Sequence, residues 1–76
     1  MSTKRTFVRT VTRTVRGEEY HFHVFTDDCM IHVLGDGDKQ STGKPDPADN
    51  GDLIINDMIN TLLARGNVAP GAWEAA

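Results

Sequence analysis

Three histidines and a cysteine, His21, His23, Cys29 and His32, lie in one short stretch of the chain, residues 20–34 (YHFHVFTDDCMIHVL). Imidazole and thiolate are the ligands that zinc prefers, so the first question is whether they can converge. Strand periodicity says that they cannot all do so. Tyr20, Phe22 and Val24 alternate with His21, His23 and Phe25, and after Asp27 and Asp28 the residues Cys29, Ile31 and Val33 alternate with Met30, His32 and Leu34. Successive strand side chains point to opposite faces, so a register that puts both apolar sets on the core side puts the three histidines together on the other. With Asp27 and Asp28 as the loop, His23 faces His32 across the hairpin with Cβ atoms about 4.5–5.5 Å apart. Cys29 then falls on the Ile31 and Val33 face, where it is expected to be a small, inert, buried hydrophobe. No metal or other cofactor is assigned. His21, His23 and His32 remain weak metal candidates, and a pH-sensitive patch is another use of the same cluster.

Other chemistry fares worse. Asp36, Asp38, Asp46, Asp49 and Asp52 crowd one region, but a calcium loop begun at Asp36 would have Gln40 as a ligand, Ser41 at the glycine position and Pro47 where a glutamate is required. The run of Gly35, Asp36, Gly37 and Asp38 lacks the lysine and helix start of a phosphate-binding loop. Ser2 and Ser41 are expected in loops without a paired base, so no catalytic residue is assigned.

The elements that must position these residues follow from pattern. Residues 6–16 (TFVRTVTRTVR) are rich in the β-branched types that suit a strand. Gly17 with Glu18 as a two-residue turn leads into a second strand at 19–26, setting Val15 opposite Tyr20 and Val11 opposite Val24. Phe7, Arg9 and Arg13 share that core-facing side, where the arginines either snorkel past the sheet or meet acids on a covering helix. A third strand occupies 29–34. Residues 35–51 read as a long glycine- and proline-containing connection, either functional or disordered. A helix follows, begun at Asp46 or, for its packed part, near Asp52, and running to 65. Ile55, Met58, Ile59 and Leu62 centre its apolar stripe, Ile54 and Leu63 mark the margins, and Gly66 ends it. The tail, 67–76, holds the only tryptophan, Trp73, which either docks back over the core edge or anchors a contact. The expected fold is a single α+β domain, 1–76: a three-stranded antiparallel β-meander with one C-terminal α-helix packed on one face.

Size and charge bound the function. A chain of 76 residues buries only about 60% of its unfolded surface and has little room for a deep cleft, which favours binding over catalysis. One cysteine excludes an internal disulfide, and neither a spanning apolar run nor a signal-peptide core is present, so a cytoplasmic protein without a membrane partner is expected. The first 17 residues carry +5 and no acid, while the remainder carries −8. The acidic bulk favours basic protein surfaces and disfavours direct nucleic-acid binding. With one sheet face left uncovered, Val8, Phe25, Met30 and Leu34 join the three histidines in a patch of the kind that marks an interface. The alternative use of that patch is a homodimer packed sheet to sheet.

The combination of small size, acidity, a short β-meander and one helix resembles small phage-encoded inhibitors of the anti-CRISPR type. What the resemblance implies is a non-enzymatic protein that blocks a basic, nucleic-acid-binding surface of a host defence effector. Asp27, Asp28, Asp36 and Asp38 would mimic phosphate charge, with Phe25, Met30, His23, His32 and Leu34 completing the partner-binding surface.

Overall fold

The computed structural model describes residues 5–43 and 51–74. Four strands and a helix follow in order: β1 (Thr6–Val15), β2 (Glu18–Thr26), β3 (Met30–Gly35), β4 (Asp38–Gly43) and α1 (Asp52–Arg65). The chain is α+β as expected, but the antiparallel sheet has four strands in the order β1-β2-β3-β4, not three. The extra strand lies inside the stretch expected to be a connection. Asp36 and Gly37 make the turn, with Gly37 at φ 115°, and β4 then pairs with β3 from Gly35↔Asp38 to Met30↔Gly43. The alternative helix start at Asp46, the acid Asp49 and Ser2 lie outside the described residues.

Two turns sit differently from the expected ones. The first is Arg16 and Gly17, both at positive φ (53° and 81°), so Val15 opposes Glu18, Arg13 opposes Tyr20 and Val11 opposes Phe22. A two-residue turn with both positions left-handed matches the right-handed twist of the strands, and glycine at its second position removes half the strain. The second turn is centred on Asp28 and Cys29, one position beyond the aspartate pair expected, with the Asp27 N–H donating to the Met30 carbonyl. His23 therefore pairs with Leu34, and His32 with Phe25, rather than with each other. Both shifts move the cross-strand partner by an even number of residues, so each side chain in the regular part of the hairpins keeps its expected face. Cys29 does not: it stands in the turn ahead of β3 and is exposed, not buried in the core. A bulge between Phe7 and Arg9 makes Val8 the extra residue. It sets Phe7 opposite Phe25 on the uncovered face, whereas unbroken alternation put Phe7 on the core side.

The helix covers the other face. Ile55, Met58, Ile59 and Leu62 meet Phe22, Val24, Ile31 and Val33, all with 5% exposure or less, and Val11, Tyr20, Ile54, Leu63 and Val68 pack around them. Each such side chain contributes roughly 1.5–3 kcal/mol by leaving water. Helix α1 ends as its sequence asks, with Gly66 left-handed at φ 72° and its N–H donating to the Leu63 carbonyl. The two core-side arginines find partners on the helix. Arg9 pairs with Asp52 at 2.7 Å, and Arg13 donates to Asn56 at 2.6 Å and to Asn60 at 3.3 Å.

The tail then closes over the sheet. Pairing of β3 with β2 reaches only as far as His23↔Leu34, which leaves the first half of β2 without a neighbour on that side. Ala69 donates to the Asp36 carbonyl, Gly71 donates to the Glu19 carbonyl, and Gly71 bridges Tyr20 in parallel, so the tail occupies that gap. Among the described residues no helix is long and apolar enough to cross a membrane.

Candidate functional site

The uncovered sheet face carries two histidine centres, and the arrangement of the strands keeps them apart. At the first, the Trp73 carbonyl lies 2.9 Å from His23 Nε2. A carbonyl can only accept, so Nε2–H donates, and in the neutral ring Nδ1 accepts from the Thr10 hydroxyl at 3.0 Å. The Trp73 indole N–H donates to the His21 carbonyl at 2.7 Å, and its ring stands edge-on to His23 with centroids 4.6 Å apart. The bulge brings Phe7 to the same place, with its ring edge-on to Phe25 at 5.5 Å and 6.4 Å from His23. The Arg5 guanidinium lies 5.4 Å from the Phe25 ring centroid, within reach of a cation–π contact. Phe7, Thr10, His23, Phe25, Trp73 and Glu74 line a shallow groove of about 380 Å³. Phe7 is 54% exposed, so its ring presents an apolar surface of this groove to solvent.

The second centre fastens the hairpin from β2 to β4. The Asp27 carboxylate accepts from the Cys29 and Met30 amides at 3.0 and 2.8 Å, and its other oxygen accepts from His32 Nε2 at 2.9 Å. In the neutral ring His32 Nδ1 then accepts from the Ser41 hydroxyl at 2.7 Å. The His32 hydrogen bond is the largest of the causes that hold Asp27 down to about 2, followed by the Cys29 amide. Serine to imidazole to carboxylate is the polarity that activates a serine nucleophile, here with the two ring nitrogens exchanged. Acyl transfer needs in addition a cleft and donors for an oxyanion, and Asp27, His32 and Ser41 line neither of the two grooves at this face. The row acts as a brace, tying the turn at Asp27 to β4 through the strand between them.

His21 stands alone, its Nδ1 3.5 Å from the Thr12 hydroxyl and its Nε2 3.8 Å from Glu19. Among the described residues no three histidine, cysteine or acidic side chains gather to hold a metal ion. Met30 and Leu34 are half-buried on the uncovered face, and Leu34 lines a second groove, of about 410 Å³, with Lys39 and the other side of Trp73.

The four aspartates singled out for a partner divide into two kinds. Asp27 and Asp38 are engaged within the chain: Asp38 accepts from the Lys39 amide at 2.8 Å and from Arg65 and Asn67 at 3.5 Å, and chiefly the amide holds its carboxyl below the usual range. Asp28 and Asp36 are exposed, one in each turn flanking β3. A six-residue strand separates its ends by about 20 Å, so these two charges do not form one patch.

Two contributors escape sequence reasoning, and a third, Trp73, is singled out there without its place on the sheet. Ser41 lies in β4 and not in the expected connection, and the Asp36 and Gly37 pair ahead of that strand is the hairpin signal for it. Phe7 lies on the face opposite to the expected one because a bulge leaves no mark in the alternation. The position of Trp73 depends on β3 being shorter than β2, which residue types alone do not show. The remaining large concavity, about 480 Å³, lies at the other end of the molecule between the first turn and the end of α1, lined by Val15, Arg16, Glu18, Tyr20, Leu63, Gly66 and Val68. Its charged groups, Arg16 and Glu18, are exposed at the turn. Comparison of the chain with models of protein families, with curated proteins and with solved structures gave no match.

Proposed function

We propose that the protein is a non-enzymatic protein-binding module that works through the uncovered face of its sheet. The observation that carries this reading is the aromatic groove: Phe7 and Trp73 flank His23, Phe25 packs on Phe7, and Phe7 exposes about half its surface. Aromatic side chains flanked by an arginine, here Arg5, are the residue types that dominate binding energy at protein interfaces. Solvent-facing apolar rings in a small domain are otherwise a solubility cost without a return.

The test is capture of partners from cell extract by wild type and by Phe7→Asp and Phe25→Asp, at low and high salt, with circular dichroism to check folding. Capture that survives high salt and disappears in both folded variants supports the reading. Capture that both variants retain overturns it. Sedimentation of the wild type alone separates the homodimeric alternative, since a dimer that Phe25→Asp dissolves would make the occupant of the groove a second copy. The version in which the chain occupies a basic nucleic-acid-binding surface of a defence effector rests on Asp28 and Asp36. It requires capture that falls steeply with salt and with charge reversal at those two positions.

A further inference from the structure

The outer edge of β1 is a feature of the sheet distinct from the groove. Strand β1 is ten residues long, and among the described residues no strand pairs with its outer side. A two-residue turn makes the pair that flanks it, Val15↔Glu18, a hydrogen-bonded pair, and such pairs alternate along an antiparallel ladder. Arg13↔Tyr20 and Val11↔Phe22 are therefore also turned inward. Thr10, Thr12 and Thr14 then direct their amides and carbonyls outward, and all three are exposed. The opposite edge of the sheet is not equivalent. By the same alternation the outward groups of β4 include the Lys39 carbonyl, and Arg65 reaches across to it at 3.5 Å while bonding the Gln40 side chain at 2.7 Å. One edge is guarded by a helix residue, and the other presents an open row of donors and acceptors, a template for strand addition.

Charge selects what can be added. The strand and its turn carry Arg9, Arg13 and Arg16, Arg5 precedes them, and no acid occurs before Glu18. A second copy of β1 would bring these like charges together, which a sheet disfavours. Arg9 and Arg13 sit on the helix side of the sheet, two positions either side of Val11. Each guanidinium has five donors; Asp52 takes one from Arg9, and Asn56 and Asn60 take one each from Arg13. Donors are left for a carboxylate arriving from beyond the edge, and the Arg9 side chain is 46% exposed. We propose that β1 accepts an extended acidic segment of a partner protein as a fifth, antiparallel strand, with acidic residues at positions i and i+4 beside Arg13 and Arg9 and an apolar residue at i+2 beside Val11. This goes beyond the groove and does not depend on it.

The experiment uses the whole chain and a blocked synthetic heptapeptide, Ser-Glu-Thr-Val-Thr-Glu-Ser, with the same peptide carrying lysine in place of both glutamates as control. Amide hydrogen exchange followed by NMR reads the edge directly. The glutamate peptide is expected to slow exchange at Thr10, Thr12 and Thr14, and to bind about tenfold or more tightly than the lysine peptide. Thr12→Pro, which removes an outward amide that β2 does not use, should abolish the protection. Should that variant fail to fold, Arg13→Glu serves instead, and its preference should swing toward the lysine peptide. Phe25→Asp should leave peptide binding unchanged, so the fate of the groove is read separately. No protection at millimolar peptide, equal binding of the two peptides, protection confined to residues of the groove, or a wild-type dimer that Thr12→Pro dissociates would each overturn the proposal.

Discussion

Asp27 does the work of several residues, and its ionisation links acid stability to the turn. Its carboxylate accepts two backbone amides and the His32 imidazole, which lowers its pKa to about 2 from an ordinary 3.8. A carboxylate depressed in the folded state stabilises the fold above the unfolded value and loses that contribution as pH falls through the folded one. Asp27→Asn is therefore expected to lower stability at neutral pH and to remove the part of the acid transition between about pH 4 and pH 2, as chemical denaturation at stepped pH would show. A second residue-scale prediction concerns Gly37. A side chain there would place Cβ 2.5 Å from the Asn67 carbonyl oxygen, at a φ of 115° that other residues avoid. Gly37→Ala is expected to destabilise by about 1–3 kcal/mol, because strain and collision add and the opposing atom is backbone. At Arg16 the direction reverses. Arginine holds a left-handed φ of 53° at the first turn, and Arg16→Asn should stabilise by about 0.5–1 kcal/mol, since asparagine tolerates that conformation better. The aspartate pair announced a turn, but which carboxylate it uses depends on His32 arriving from the next strand.

Elements were legible wherever apolar spacing was strong. The helix bounds, its four buried residues and its glycine terminus agree with the 3.6-residue period, because an amphipathic helix advertises its core side in sequence. Strand β4 was not legible by that route. Its residues, DKQSTG, contain no large apolar side chain, and it is held instead by backbone pairing to β3 and by Arg65, which bonds Asp38, Gln40 and the Lys39 carbonyl. Arg65→Ala should therefore raise amide exchange in β4 well before it does so in β2, a difference that NMR exchange rates would resolve. The histidines lie on the expected face because both changes of strand register are even. The odd change, the bulge at Val8, moves Phe7 and with it the character of the candidate site.

For the molecule as a whole, one small core carries the fold. Ile59 is fully buried at its centre, and Ile59→Ala is expected to cost about 2–5 kcal/mol, a large share of what so small a domain has to lose, so its denaturant midpoint should fall sharply. The charge asymmetry visible in sequence acquires a location. The basic strand lies along one side of the sheet, held to the helix by Arg9 and Arg13, while the exposed acids Asp28 and Asp36 stand at opposite ends of β3.

The docking of the tail has a kinetic consequence. The bonds of Trp73 to His21 and His23 span 52 and 50 positions, in a chain of 76, so they close one of the longest loops available. They also depend on a gap beside β2 that exists only once the hairpins have set their register. Loop-closure entropy and this order of assembly both delay them. Since Trp73 is the only tryptophan, stopped-flow refolding should show the backbone circular dichroism signal recovering ahead of the indole fluorescence.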